Sequence, residues 1–279
     1  MPMKYESEIL HQTSDFDSFQ MLPRSVLSLG MASWAGIVKS NLHSFPKLIQ
    51  DHNLGVVVIR TNITYHMPYE FFSGESFKVS IEMCLTEDKK NFIWDVAFLG
   101  SSGERFVSLE AVGRAVKIDP TSWGAAPTTI EPPILGYFND GDYHLQDVSR
   151  PVENRLKTLK NQEPIVQNEV RKRIYRHECE AADQWSFIEI GTNAANAREE
   201  LLLESNPPED KIAQVKGLLN RPLTKINTLI KRPLFLFDHY TIRSALYQTE
   251  GEYHVVHRYM SDMGRAKEHA IVIESYKEY

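Results

Sequence analysis

Apolar and polar residues alternate through KYESEILHQ at 4–12 and again through VRKRIYRHE at 170–178, the period-two pattern of a strand with one buried face. Each segment runs into an acidic turn, TSDFDSF at 13–19 and CEAADQW at 179–185, and then into a long helical stretch. The first helix starts at Pro23, which suits a first helical turn because its missing N–H would have no partner there. Between Val26 and Val38 the apolar residues cover most of the circumference, predicting a helix buried nearly all round. β-Branched and aromatic runs at 55–65, 76–86, 92–99 and 105–117 follow, with turn signals at 87–90 and 100–103; they predict an antiparallel meander. The second helix has capping-box spacing at Ser186 and Glu189. Its inner face is Ala194, Ala197, Leu201 and Leu202, and its outer face Arg198, Glu199 and Glu200. It ends before Asn206-Pro207-Pro208, and a short polar helix at 211–219 and strands at 224–231, 240–247, 253–260 and 269–276 complete the pattern.

The same order of signals therefore occurs twice. ITYHMPYEFFSGESFKVSIEM parallels INTLIKRPLFLFDHYTIRSAL, with Pro68 opposite Pro233, and Gly103 and Gly264 occupy corresponding hairpin turns. Between the copies, six of the 14 prolines fall within 119–166, a stretch without sustained periodicity that includes the turn-like Asn139-Asp140-Gly141-Asp142. Loops of that length are uncommon inside one compact domain. The expected organisation is an N-terminal domain at 1–118, a connection at 119–166 and a C-terminal domain at 167–279. Repeats of strand, helix and meander make an α+β fold in which each sheet wraps around one long helix.

Composition narrows the function. The 279 residues carry 31 Lys and Arg against 37 Asp and Glu, a net charge of −6, which argues against a nucleic-acid partner. No apolar run reaches the ~18–20 residues of a membrane span, and the first residues hold no signal-peptide core. Cys84 and Cys179 alone make neither a zinc site nor a disulfide framework. A cytoplasmic protein is expected. No P-loop, GxGxxG or HExxH occurs, so neither a cofactor nor a metal is implied.

DFDSF at 15–19 resembles the D-x-D-x-x-G turn of 4-hydroxybenzoyl-CoA and acyl-ACP thioesterases, with Gln20 where the family has glycine. The segment 55–63 followed by HMPYEFFSGESFKV is similar to their long strand, Pro-containing turn and following strand. PRSVLSLGMASWAGIV resembles the helix of hot-dog acyl-ACP dehydratases, although Asp15 stands at their catalytic His and Leu29 or Gly30 at their helix acid. The chain thus resembles a tandem, or double, hot-dog protein. The resemblance implies an acyl- or aroyl-thioester hydrolase acting on CoA or acyl-carrier-protein substrates of fatty-acid or polyketide metabolism, working as a monomer or as a homodimer of double units. Alternatives within the fold are a dehydratase, isomerase or acyltransferase on a carrier-bound chain, or a non-catalytic acyl-binding partner.

Thioester hydrolysis needs a carboxylate to attack or to activate water, and donors for the developing oxyanion. Asp17 is the first candidate for that carboxylate and Asp15 the second; turns favour aspartate for structural reasons as well. Asp183, with Glu180, is the corresponding candidate of the second half. His66 at a strand end is a further catalytic candidate, with Tyr65 and Tyr69 flanking it as thioester ligands. Trp34 and Trp94, with Phe71, Phe72 and Phe98, are candidates for an acyl pocket or for core. Arg171-Lys172-Arg173 and Lys231-Arg232 are candidates for phosphate contact, Arg232 foremost. The neighbourhoods of His257, Ser261 and His239 show no recognisable hydrolase triad.

Overall fold

A computed structural model describes residues 3–119, 121–122, 124–138, 143–144, 150–261 and 267–277. The turn expected at 139–142 and Gly264 lie outside them. The chain forms two compact units, Met1–Ser149 and Arg150–Tyr279.

The first unit opens with β1 (Met3–Leu10), whose burial alternates as its sequence does. Helices α1 (Pro23–Asn41) and α2 (Phe45–His52) follow. Then come β2 (Leu54–Tyr65), β3 (Ser76–Thr86), β4 (Asn91–Leu99) and β5 (Arg105–Ile118), within a residue of the expected bounds. The antiparallel order is β1-β3-β4-β5-β2, which corrects the expected four-strand meander: only β3, β4 and β5 follow one another across the sheet, and β2 crosses over to lie beside β5. Gly103, at φ +83°, makes the tight β4–β5 turn, a conformation that only glycine adopts without strain.

The expectation that α1 is buried all round is corrected. Val26, Gly30, Trp34, Ile37 and Val38 face the sheet, while Ser28, Ala32, Ala35 and Lys39 are exposed. The outward residues are small, so exposing them costs little apolar area. At Gly30 an added Cβ would stand 2.5 Å from Leu109 Cδ2, which shows how closely the helix lies on β5. The helix runs on past Val38 to Asn41, and Ser44 and Pro46 start α2 at Phe45.

Part of the stretch expected as a connection belongs to the first unit. There β6 (Ala125–Pro127) pairs with β5, α3 (Pro132–Leu135) buries Ile134, and β7 (Tyr143–His144) runs parallel to β3. The remainder starts the second unit as α4 (Pro151–Leu159). Its prolines at 132, 133 and 151 begin helices rather than break them.

The second unit continues with β8 (Val166–Arg173), α5 (Phe187–Glu204), α6 (Ile212–Gly217), β9 (Lys225–Ile230), β10 (His239–Thr249), β11 (Glu252–Ser261) and β12 (Glu268–Lys277). The order β8-β10-β11-β12-β9 repeats that of the first unit strand for strand. β11 and β12 are buried almost continuously rather than alternately, as in sheets covered on both faces. α4 provides one cover: Val152 and Leu159 pack with Val256, Ile271 and Ile273. The Arg155–Glu252 pair, 2.9 Å, borders it. Ser186 caps α5 as expected, accepting from the Ile188 N–H.

Candidate functional site

In both units the route from the first strand to the long helix is a single turn, and the hydrogen bonds of the two turns match atom for atom. Leu22 N–H donates to Asp15 O as Ser186 N–H donates to Glu178 O; Asp17 N–H donates to Gln20 O as Glu180 N–H donates to Gln184 O. The bridge Phe16–Met21 corresponds to Cys179–Trp185. Asp15 therefore stands opposite Glu178, and Asp17 opposite Glu180. Asp183 has no counterpart; it is the extra residue of the longer second turn and sits at φ 53°.

In the first unit, Asp17 is exposed and its Oδ1 accepts the N–H groups of Phe19 and Gln20 at 2.7 and 2.8 Å. Its carboxylate closes its own turn. Asp15 is half-buried and accepts from Ser25 Oγ at 2.9 Å, so it meets the first turn of α1. Helix α1 has Leu22 at its N-cap and no side-chain cap hydrogen bond from it. Tyr65 joins this entrance by donating to Met21 O at 2.9 Å. Sequence reasoning missed Ser25; it lies one turn into the helix, on the side that Asp15 reaches.

Of the other candidates of this unit, Tyr69 packs against the turn, its ring centroid 6.3 Å from that of Phe16. His66 is exposed, bonds Ser108 Oγ at 2.9 Å, and is lowered in pKa by partial burial and then by Arg105. Tyr69 is buried, stacks on Phe106 at 3.7 Å and bonds His11 Nε2 at 3.2 Å. Trp34 and Trp94 pack 5.8 Å apart beneath α1, both buried. Phe98 is buried with them, whereas Phe72 is exposed.

The second turn is chemically different. Glu180 retains solvent exposure, yet the protein around its carboxyl raises its pKa, against a hydrogen bond from Ser186 that lowers it. The carboxyl and the start of α5 are thereby held together. Asp183 instead forms a surface pair with Arg176 at 2.9 Å, both exposed. Glu178 receives Asn193 Nδ2 at 3.5 Å, and Asn193 Oδ1 receives Lys172 Nζ at 3.1 Å. Arg232 is exposed, with its backbone N–H on His269 O.

The strand registers extend the comparison into the interior. Tyr240, Ser244, His257, Tyr259 and Glu274 occupy the places of Phe77, Ile81, Val96, Phe98 and Ala111. The apolar bed under α1 is thus polar under α5. Ser244 Oγ lies 2.8 Å from His257 Nδ1, and His257 Nε2 lies 3.2 Å from Glu274 Oε2. Arg198 donates to Glu274 Oε1 at 2.7 Å, which corrects its assignment to the outer face of α5. A buried carboxylate needs a counter-charge, and Arg198 supplies it by reaching inward. Burial alone would raise the Glu274 pKa, but Arg198 and His257 outweigh it and hold it low. In the neutral ring Nε2–H donates to this carboxylate and Nδ1 accepts the Ser244 hydroxyl. That is the polarity of a hydrolase triad, but Glu274 is also held by Arg198, so the chain fastens α5 to β10, β11 and β12. The signal lay in a serine, a histidine and a glutamate inside otherwise apolar strands, which only the register brings together.

Among the described residues no group of three or more His, Cys, Asp or Glu is arranged to hold a metal ion, and no helix is long and apolar enough to cross a membrane. No family model and no curated relative matches the chain. Solved structures do. A protein of Lactobacillus plantarum assigned as an oleoyl thioesterase is 8% identical, with a TM-score of 0.73, covering 99% of this chain and 96% of that one. The 12:0-ACP thioesterase of Umbellularia californica is 8% identical at a TM-score of 0.65, covering 100% and 99%. An acyl-ACP thioesterase of Bacteroides thetaiotaomicron is 11% identical at 0.62, covering 98% of both chains. Identities of this size speak for architecture alone, and together with the repeated strand order they give this chain the α+β, double hot-dog fold.

Proposed function

We propose that the protein hydrolyses an acyl thioester carried by CoA or an acyl-carrier protein, at the entrance of α5. The observation that carries this reading is Glu180: a solvent-accessible carboxyl, raised in pKa by its surroundings and tied to the start of a long helix. A raised carboxyl is a better base than an ordinary glutamate. Glu180 takes a proton from water, and the oxygen so activated adds to the thioester carbonyl. The helix start, positive through its N–H groups and dipole, favours the oxyanion. Collapse breaks the C–S bond, and the departing sulfur takes the proton from Glu180, leaving carboxylic acid and thiol. The full-length likeness to thioesterase folds supports the substrate class.

The test is thiol release from a panel of acyl-CoA and acyl-carrier-protein substrates. Glu180→Gln is expected to lower kcat by about 10²–10⁴-fold and to remove the acid limb of the pH–rate profile. Because the folded pKa is raised, that limb lies above the ordinary glutamate value. Asp17→Asn is expected to keep activity, since Asp17 is engaged in its turn. Activity lost in Asp17→Asn and kept in Glu180→Gln would transfer the role to the first unit. A mass change on the carrier-bound chain without thiol release would replace hydrolysis by dehydration or transfer.

A further inference from the structure

Two hydrogen-bond donors lie buried side by side at the start of α5 with nothing to donate to. Trp185, the last residue of the turn, is 4% exposed and Tyr240, on β10, is 0% exposed. Their ring centroids are 4.8 Å apart. Neither Trp185 Nε1 nor Tyr240 Oη has a hydrogen-bond partner. The third ring of the cluster, Tyr259, does: its hydroxyl donates to Ile190 O at 2.7 Å and so is part of the helix docking. Burial, with Glu178 and Glu189, pushes the Tyr240 phenol up, so it stays a donor wherever the fold persists.

Packing does not require these polar atoms. The first unit fills the same places with Met21 and Phe77 and builds the same turn, strand and helix around them. Buried donors without acceptors destabilise a fold. The first unit also leaves two, Trp34 Nε1 and Trp94 Nε1, but at other places; two donors at the very places that Met21 and Phe77 fill there point to an acceptor brought from outside. The acceptor must be uncharged or only transiently negative, since Glu178 and Glu189 lie near the phenol and repel a fixed anion. A thioester carbonyl oxygen meets that requirement.

We propose that Trp185 Nε1–H and Tyr240 Oη–H form a donor pair that receives the carbonyl oxygen of the acyl thioester and holds it as charge develops. This rests on the hydrolase reading and adds to it the residues that touch the reacting oxygen. The decisive variant is Tyr240→Phe, which installs the side chain that the first unit uses. The expected result is a thermal midpoint equal to or above that of the wild type, together with a fall in kcat of about 10²–10³-fold, the usual effect of removing one oxyanion donor. A kcat within twofold of wild type overturns the proposal, and so does a clear fall in the midpoint, which would mean that the hydroxyl has an internal partner.

A second measurement separates this proposal from the hydrolase reading. The indole N–H resonance of Trp185, assigned by its loss in Trp185→Phe, is followed on adding an S-(2-oxoalkyl)-CoA ketone or the carbonyl-free S-alkyl-CoA. The ketone alone is expected to shift it. Binding of both analogues with no shift removes the donor pair and leaves the hydrolase reading standing. Binding of neither, with no thiol release from any panel substrate, removes both.

Discussion

A single carboxylate illustrates how similar residues acquire different chemistry. Asp17 and Glu180 occupy the same place in the two units, and each lies in a turn that leads to a long helix. The shorter Asp17 folds back onto two N–H groups of its own turn. Glu180, one methylene longer in a turn one residue longer, is free of that role and lies instead where protein raises its pKa. Asp17→Ala is therefore expected to act on stability, lowering the thermal midpoint by about 2–4 °C, with kcat unchanged; calorimetry and the thiol assay on one preparation check both. The same reasoning explains why the acidic turns were legible as turns but not as sites. Turn chemistry selects Asp and Glu by local geometry, whereas a raised pKa depends on residues distant in sequence.

At the scale of elements, the two long helices occupy the same position on beds of opposite character. Under α1 the bed is Phe77, Ile81, Val96, Phe98 and Ala111; under α5 it is Tyr240, Ser244, His257, Tyr259 and Glu274. Arg198 closes the second set by pairing with a carboxylate that is 1% exposed. Breaking a buried pair by removing one partner leaves an uncompensated charge, at about 3–5 kcal/mol. Arg198→Met is expected to cost that much in urea unfolding. The double variant Arg198→Met with Glu274→Ala, Ala being the residue of the first unit at that place, is expected to recover most of it. Sequence pattern placed Arg198 on the outer face because helical periodicity reports hydrophobicity, and a charge reaching inward looks the same as one reaching outward. The strands were legible to within a few residues, since their alternation and β-branched runs are local properties.

For the molecule as a whole, the buried His254 sets an acid limit on stability. His254 is 0% exposed, bonds Ser275 Oγ at 2.9 Å and Thr249 Oγ1 at 3.0 Å, and has its pKa lowered to about 4 by burial and by Arg155. Glu252, 3.5 Å away, also faces it and is itself paired with Arg155. The unfolded chain binds this proton below the ordinary value of 6.5, and the folded chain only near 4. Stability is therefore complete above pH 6.5 and falls as pH drops toward 4, by about 3 kcal/mol from this group. Denaturant titrations at pH 7 and pH 4.5 are expected to show the loss, and His254→Gln is expected to flatten it. Glu274, with its pKa lowered, adds its own loss at still lower pH.

Hydrophobic period, proline position and turn residues were enough to identify a duplicated unit and the places of its strands and helices along the chain, because each is set by interactions between near neighbours in the chain; the pairing of β2 with β5 and of β9 with β12 was not legible in them. The resemblance of the turns and helix to hot-dog proteins rested on the same local information. Tertiary structure decided the rest. Register alone brings Ser244, His257 and Glu274 together from three strands, turns Arg198 inward, aligns Glu180 rather than Asp183 with Asp17, and leaves Trp185 and Tyr240 as neighbouring donors. The physical reason is that a strand's pattern records which residues are buried, while hydrogen-bond partners and pKa values depend on what lies across the sheet and beneath the helix.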